Sequence, residues 1–426
     1  MRSAPQQDPA VATRREGNAA VSAAVKKNES DVGSAASGST VTERDLRLDF
    51  FRGLALFCIF IDHIPNNILA QFTLQSLMFS DAAEVFILIS GYTAGMVYGR
   101  AMERQGFVIA GVRIYHRVWQ LYVAHIFLFV MFMATVAYTV DALNNSIYAE
   151  EFRAASFLNE PGLAVVKALS LQFQPAFMDI LPLYIVLLAI LPFVLAGFRS
   201  WPRVVIVASI ALWLAVQFDK RVALSAYPGP DRVWHFNPLA WQALFLLAAW
   251  LGWRGNRGGV SWLSRRWLFW LAAGISLAGF VIRFNWTLHD FYDPIPVLVN
   301  AELLWPFLSK TDLGVLRFAS MLAGALLVAH LIHPQARFLA SQAARPFVIC
   351  GRNSLHIFCL GILLSVLGQL ILNEFFGDIP MQLAVSVTGI AIMIGIAALM
   401  EWFAAAQRSS GGRALRTPIA GKGAPG

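Results

Sequence analysis

The sequence is poor in charged residues for its length. Asp, Glu, Lys and Arg make up 14% of the 426 residues, whereas hydrophobic residues make up 58%, and the mean hydropathy is +0.60. A soluble globular domain usually carries about 25% charged residues. This deficit excludes a soluble globular protein and predicts an integral membrane protein that contacts the lipid bilayer. The net charge of +8 is then expected to reflect membrane topology, and we predict no nucleic-acid partner.

Cysteine is scarce as well. Cys58, Cys350 and Cys359 are the three cysteines, and each lies in an apolar stretch. They form no C-x-x-C pair and show no spacing typical of metal ligands. We therefore predict reduced, buried packing residues, with neither a disulfide framework nor a metal site.

A secretory signal and internal repeats are also missing. Residues 1–43 contain no apolar core of the kind that a cleaved signal peptide needs, about 7 to 15 residues long. We predict that 1–43 and 406–426 are disordered cytoplasmic tails and that the first membrane span acts as the insertion signal. No repeat of about 20 to 50 residues is visible, so neither a solenoid nor an inverted-repeat transporter gains support.

Long apolar segments predict an all-α bundle of about ten transmembrane helices, because a bilayer crossing needs about 17 to 25 apolar residues. The predicted helices span residues 48–66, 83–100, 117–139, 178–198, 203–218, 238–253, 267–284, 313–332, 346–372 and 382–405. Lys and Arg concentrate before the first helix and in every second connection. Since cytoplasmic loops carry this excess, both termini are predicted to be cytoplasmic.

The longest connections on the opposite side, 140–177, 219–237 and 285–312, combine carboxylates with aromatic rings. Carboxylates that accept hydrogen bonds from hydroxyls, beside flat aromatic faces, suit a carbohydrate. The alternative is an aromatic belt at the membrane interface with solvated loops around it. Composition alone leaves both interpretations open.

Ionisable residues lie at both ends of the apolar stretch "RGLALFCIFIDH". Arg52 and His63 are eleven residues apart, which places them about 20° from full helical register and roughly 16 Å apart on one face, shared by Asp49. Ionisable groups in a span usually face a cavity or a partner. His63, with Asp62 beside it, is a candidate general base, because a neutral imidazole can take a proton from an attacking hydroxyl. Alternatively, Arg52 anchors the helix and His63 hydrogen-bonds a neighbouring helix.

The second and third predicted helices add polar residues to apolar sequence. Glu84, Ser90 and Tyr92 lie in "EVFILISGY", and Arg113 and Arg117 lie one turn apart in "RIYHRVWQLY". Taken alone, Ser90-Gly91 is typical of close helix packing, and there is no G-x-S-x-G nucleophile motif. Taken alone, the two arginines are typical positive-inside residues.

Together, these stretches resemble the membrane-bound acyltransferase type 3 superfamily, which has an R-x10-H motif followed by a "DxFFxxSGF" helix. One branch is similar in sequence over residues 44–405, the OpgC-type succinyltransferases of osmoregulated periplasmic glucans. The similarity is carried by "RLDFFRGLALFCIFIDHIP", "FSDAAEVFILISGYTAGMVYGR" and "GRNSLHIFCLGILLS". Glu84 and Tyr92 replace the usual Asp and Phe, and both replacements keep the chemistry.

The resemblance implies an O-acyltransferase domain at 44–405 that moves an acyl group from cytoplasmic acyl-CoA to a periplasmic glucan. It implies a catalytic role for His63, a motif role for Arg52 and a basic helix entry at Arg113 and Arg117, and it fixes no role for Glu84 or Ser90. We predict that Arg52, Arg113 and Arg117 hold the coenzyme A phosphates, and that Asp62 and Glu84 are further catalytic candidates. We expect acyl-CoA as a donor substrate, no permanently bound cofactor, a bacterial inner-membrane location, and glucan biosynthesis proteins as candidate partners. Succinyl follows from the branch, whereas acetyl is chemically equivalent at His63.

Two rival functions remain open. Asp62, His63 and Glu84 suit a proton relay in a proton-coupled transporter or flippase, since such carriers use intramembrane His and carboxylates. A non-catalytic membrane scaffold is the other. Further polar residues in predicted spans, without a predicted role, are His125, Arg352 and His356.

Overall fold

A computed structural model describes residues 45–229, 232–292, 294–375 and 377–414, with side chains to residue 408. The predicted tail 1–43 and the end of the second tail, 415–426, lie outside the described residues. The described part of the chain is helical and contains no β-strand. The all-α prediction is therefore confirmed.

Ten helices are labelled in chain order. They are α1 Leu46–Asp62, α2 Ala82–Leu143, α3 Ile180–Ser200, α4 Pro202–Phe218, α5 Pro238–Gly255, α6 Arg266–Phe291, α7 Val315–Leu331, α8 Arg345–Arg352, α9 Ser354–Glu374 and α10 Ile379–Ala414. Short helices in the connections are Ile68–Phe72, Leu74–Leu77, Ile147–Glu151, Ala155–Asn159, Pro161–Leu169, Ser261–Ser264, Ala301–Leu304, Trp305–Phe307 and Arg337–Ala340.

Each of the ten predicted segments contains helix, but several boundaries differ. The second and third segments belong to one 62-residue helix, α2, interrupted at Gly106, whose φ of 82° and ψ of 175° are not helical. The segment predicted at 346–372 is divided between α8 and α9 at Asn353. α10 continues beyond the predicted boundary at residue 405.

Five helices in the described part of the chain are long and apolar enough to cross a membrane: α2, α3, α6, α9 and α10. The helices α4 and α7 are apolar but shorter. The protein is thus a membrane protein with several apolar helices, whereas ten crossings and two cytoplasmic termini stay predictions.

Two glycine contacts bring α1 and α8 together at their backbones. A methyl group on Gly53 would collide with the carbonyl group of Phe347, and one on Gly351 would collide with the carbonyl oxygen of Asp49. Small residues allow such an approach between membrane helices. These contacts hold the Arg52 end of α1 against α8.

The part of α2 before Gly106, which we call its first arm, packs on α5 in the same way. Methyl groups on Gly91 and Gly95 would strike the carbonyl oxygens of Phe245 and Ala249, and one on Gly252 would strike that of Tyr92. The interpretation of Ser90-Gly91 as a helix-packing contact agrees with this geometry. The contact aligns the polar residues of α2 beside α1.

The end of α1 sets the position of His63. The helix ends at Asp62, and Pro65 and Asn66 follow, the latter with a φ of 59°. Proline cannot continue the hydrogen-bond ladder and restricts the residue before it. The helix therefore ends one residue before His63, short of the predicted limit at residue 66, and His63 lies in the connection that begins there.

Candidate active site

The imidazole of His63 is held in one tautomer by its own helix. Its Nδ1 atom lies 2.7 Å from the carbonyl oxygen of Ile59. A carbonyl oxygen only accepts hydrogen bonds, so Nδ1 carries the proton and the neutral ring has its lone pair on Nε2. The ring of Phe177 packs edge-on against His63, with the ring centroids 4.8 Å apart. This arrangement can accept a proton at Nε2.

Asp62 is adjacent to His63 in sequence but contacts other residues. Its Oδ1 atom accepts hydrogen bonds from the Thr73 hydroxyl at 2.6 Å and from the Gln75 amide at 3.2 Å. Both donors lie on the connection that follows α1. Among the described contacts, Asp62 stabilises this connection, and the backbone carbonyl of Ile59 orients His63.

Four charged side chains form a buried ionic cluster near the His63 end of α1. Arg317 donates to Glu84 at 2.6 Å and to Asp81 at 2.8 Å, and the ammonium of Lys310 lies 2.8 Å from Asp81. The Glu84 side chain is fully buried. We name these four residues, Asp81, Glu84, Lys310 and Arg317, the ionic cluster. It joins the start of α2 to α7 and to the connection before α7.

Local sequence explains why the two carboxylates of the ionic cluster lie at the start of α2. Asp81 is the N-cap and accepts from the backbone N–H of Ala83 at 2.8 Å, while Glu84 accepts from the N–H of Asp81 at 2.9 Å. This reciprocal pair is a capping box. Glu84 is therefore held by its cap and by Arg317, and its described contacts are with these groups.

His235 faces the same region from the connection before α5. Burial, followed by the positive charges of Lys310 and Arg153, lowers the pKa of His235 to about 4. Lys310 also lies within electrostatic range of His63, and its side chain is 38% exposed. The Lys310 ammonium lies 5.7 Å from the centroid of the Phe236 ring. A cation and two imidazoles thus share the space at the His63 end.

A cavity of about 160 Å³ lies beside the Arg52 end of α1. Arg52 lines it and donates to the hydroxyl of Thr93 at 3.1 Å. Arg117 and Ser90 line the same cavity, as do Tyr98 of α2, Tyr184 of α3 and Ser354 of α9. Phe86 and Leu181 also line it. Lining residues from Phe86 to Val97 extend about 16 Å along α2.

The structure brings Arg52, Arg117 and Ser90 together, but not Arg113. Arg113 is exposed, whereas Arg117 is partly buried and donates to Gln120 at 3.0 Å. Tyr92 lies on the same arm of α2 and its hydroxyl approaches Gly255 of α5. The predicted basic helix entry is therefore represented in the cavity by one arginine.

Asp49 and Arg352 meet at the α1–α8 contact. Their side chains lie 3.6 Å apart, and Arg352 also lies 3.5 Å from Glu401 of α10. These pairs connect three helices, which explains the polar residues without invoking chemistry. His356 is exposed on α9. His125 is fully buried in α2, and neither ring nitrogen has a hydrogen-bond partner among the described residues.

The sequence of the chain matches a family over the same range as the helical domain. Residues 44–405 match the family described as OpgC protein. The chain belongs to the OpgC family. Comparison with curated proteins gives no match. Membership agrees with the resemblance found in the motifs and with its boundaries, while the wider placement in the acyltransferase type 3 superfamily stays a prediction.

Membership of the OpgC family supports a membrane acyltransferase with a role in osmoregulated periplasmic glucans. The apolar helices described above agree with a membrane location. In this setting the two regions have distinct chemistry. The Arg52 cavity carries two arginines and is lined by both hydroxyl-bearing and apolar side chains, and the His63 end combines an imidazole with fixed charges.

Sequence reasoning missed Asp81, Lys310 and Arg317 of the ionic cluster and also His235. One signal was available, since "DAAE" at 81–84 has the spacing of a capping box. The two cations are separated from Glu84 by more than 220 residues. No local pattern connects residues so distant, so their contact appears only in the folded chain.

Proposed function

We propose that this OpgC-family protein transfers a succinyl group from cytoplasmic acyl-CoA to a hydroxyl of a periplasmic glucan, with His63 as the general base. The observation that carries the proposal is the 2.7 Å contact between His63 Nδ1 and the carbonyl oxygen of Ile59. It places a proton on Nδ1, so that in the neutral imidazole Nε2 is the proton acceptor. A general base needs this protonation state before the reaction.

The proposed step is direct transfer. Nε2 of His63 takes the proton from a glucan hydroxyl while the hydroxyl oxygen attacks the thioester carbonyl carbon. The tetrahedral oxyanion collapses, the carbon–sulfur bond breaks, and the coenzyme A thiolate takes the proton back from His63. The products are an acylated glucan and free coenzyme A. An acyl-histidine intermediate is not needed, because the hydroxyl itself attacks.

Charge near His63 supports this chemistry. The Lys310 ammonium is fixed by Asp81 at 2.8 Å and remains 38% exposed. Preorganised positive charge stabilises an oxyanion more effectively than water, which must reorient. Asp81 and Glu84 fix the cations rather than act as bases in this mechanism, because both are in ion pairs with Arg317.

The Arg52 cavity supports donor binding from the predicted cytoplasmic side. Arginine matches phosphate oxygens with two forked donors, and Arg52 and Arg117 both line the cavity. Its apolar residues continue along α2 toward the His63 end, over about 16 Å. In this arrangement the arginines bind the phosphates of coenzyme A, and its narrow pantetheine arm carries the acyl group toward His63. A donor on one side of the membrane can then react with an acceptor on the other.

The test is an assay of the purified protein in detergent with succinyl-CoA and an unsubstituted glucan oligosaccharide. Transfer adds a carboxylate, so mass spectrometry detects the ester and the product elutes later from an anion exchanger. A parallel reaction with acetyl-CoA establishes the preferred acyl group. Absence of an acyl-CoA-dependent product, with the protein folded, contradicts the proposal.

The transporter alternative requires Asp62, His63 and Glu84 to exchange protons. The described contacts give these residues different partners: Thr73 and Gln75 for Asp62, Ile59 for His63, and Arg317 for Glu84. No observation on the described residues favours the relay. Proton-coupled uptake into vesicles without acyl transfer is the result that would favour it.

A further inference from the structure

Asp179 is an N-cap residue that does not cap its helix. Asp81 and Asn237 hold the first backbone N–H groups of α2 and α5 through their side chains, whereas the Asp179 side chain makes no such bond to α3. An N-cap side chain usually satisfies one of these donors, with a gain of about 1 kcal/mol. The Asp179 carboxylate is therefore not used to cap its own helix.

One carboxylate oxygen of Asp179 is buried without a hydrogen-bond partner among the described residues. The residue is 8% exposed, and its Oδ1 atom has no hydrogen-bond partner among the described residues. A buried polar atom without a partner is unusual and costs free energy. Such an atom is explained when a ligand supplies the missing donor.

A strained turn links Asp179 to His63. Phe177 has a φ of 70°, which is rare for a bulky side chain and tends to occur at functional sites. The centroid of its ring lies 4.8 Å from that of the His63 ring. The N–H of the preceding residue, Ala176, donates to the carbonyl oxygen of Phe152 at 3.1 Å. The turn thus fixes Asp179 two residues from the ring that contacts the proposed base.

One cation, Lys310, lies within electrostatic range of both residues. Arg153, Lys310 and Arg232 lie within electrostatic range of Asp179, and Lys310 lies within range of His63. These cations offset only part of the cost of burying the carboxylate, and none of them donates a hydrogen bond to its Oδ1 atom among the described residues. The position combines a fixed hydrogen-bond acceptor, the aromatic ring of Phe177 and the base.

The chemistry of an unpartnered carboxylate selects its ligand. Carboxylate oxygens accept short, strong hydrogen bonds from hydroxyl groups. They repel phosphates and the terminal carboxylate of a succinyl group, so the acyl donor is a poor ligand here. A sugar is neutral and presents several hydroxyl donors beside the one that reacts.

We propose that Asp179 binds the glucan acceptor, accepting a hydrogen bond from a hydroxyl of the glucosyl unit whose other hydroxyl is presented to His63. This inference rests on the proposed function, because it assumes a sugar acceptor at His63. It assigns Asp179 to acceptor binding and the Arg52 cavity to donor binding. The two substrates then depend on different residues.

The test uses the full-length protein in detergent, an unsubstituted linear glucan oligosaccharide and succinyl-CoA. Asp179→Ala is expected to raise both the Kd and the KM for the oligosaccharide about 10- to 100-fold, the range for one hydrogen bond to a charged group. The KM for succinyl-CoA is expected to change less than about twofold. Asp179→Asn keeps one carbonyl acceptor and restores part of the affinity, and thermal unfolding establishes that each variant is folded.

Asp219→Ala is the matched control, because Asp219 is an exposed carboxylate whose side chain pairs with Arg221. Unchanged oligosaccharide affinity in Asp179→Ala, or an equal loss for donor and acceptor, overturns the inference while wild-type transfer still supports the proposed function. Conversely, a wild-type protein that binds the oligosaccharide through Asp179 but transfers no acyl group keeps the inference and overturns the proposed function.

Discussion

His63 donates a hydrogen bond from Nδ1 to the carbonyl oxygen of Ile59, four residues earlier in the chain, at 2.7 Å. The bond leaves Nε2 as the basic atom of the ring. It joins the side chain to the last turn of α1, so the direction of the base follows from where the helix ends. A backbone group holds the imidazole, and the neighbouring Asp62 bonds elsewhere.

Replacement of His63 tests the base. His63→Gln is expected to lower kcat for acyl transfer about 100-fold or more, the usual range for general base catalysis, while the Kd for coenzyme A stays within about twofold. Activity and ligand binding are measured on the same purified protein. His330→Gln is the control, since His330 makes the same bond to Leu326 at 2.9 Å but is exposed. Near-normal transfer by His63→Gln excludes the assignment.

Replacement of the cavity arginines tests donor binding. Arg52→Ala and Arg117→Ala are each expected to raise the KM for succinyl-CoA about tenfold or more, because each removes a charged hydrogen-bond donor. The value of kcat is expected to change little, because the lost binding energy contributes equally to the bound donor and to the transition state. Arg203→Ala, at an exposed position in the first turn of α4, is the control. Arg113→Ala separates the two predictions for the helix entry: a loss equal to that of Arg117→Ala would place the phosphates outside the cavity.

The ionic cluster is expected to stabilise the fold. Arg317→Met leaves the fully buried Glu84 carboxylate without its partner, and breaking a buried pair costs about 3–5 kcal/mol. Thermal unfolding in detergent measures the loss. Arg221→Met breaks an exposed pair with Asp219 and is expected to leave the unfolding temperature unchanged. Equal unfolding temperatures for the two variants would contradict the role of the cluster.

The backbone contact between α1 and α8 is expected to tolerate no side chain at Gly351. Gly351→Ala forces a methyl group against the carbonyl oxygen of Asp49, and overpacking costs about 1–3 kcal/mol. Unfolding and gel filtration report the effect. Gly274→Ala, in α6 with open space around it, is the control and is expected to change little. If both variants unfold alike, the two helices separate more easily than their contact indicates.

Acidification is expected to destabilise the protein through His235. Its pKa in the folded state is about 4, below that of an ordinary histidine, so the unfolded state binds more protons between pH 4 and about 6.5. Stability therefore falls as the pH decreases through this window. The charged groups facing His235 are Lys310, Arg153, Asp81 and Arg317.

The measurement is the difference in unfolding temperature between the wild type and His235→Gln at pH 7 and at pH 5. The difference is expected to shift in favour of the variant at pH 5, because glutamine takes up no proton. A difference that is independent of pH shows that His235 keeps its ordinary pKa.

Helix type and position followed from local pattern. Apolar runs located all ten segments, because a helix satisfies its own backbone hydrogen bonds, which lipid requires. Their limits were less predictable. The break at Gly106 lies inside one continuous helical element, and Asn353 divides α8 from α9. Both interruptions are changes in backbone conformation, so the hydropathy pattern did not reveal them.

The R-x10-H spacing and the motifs after it led to the family and to His63, since chemistry tied to short motifs is local in sequence. Which groups lie near His63 was not local: Phe177 and Lys310 follow it by 114 and 247 residues. Their proximity appears only when the helices and their connections pack together. Motif spacing carries the chemistry of one helix, whereas the environment of the base comes from packing between helices that are distant in the chain.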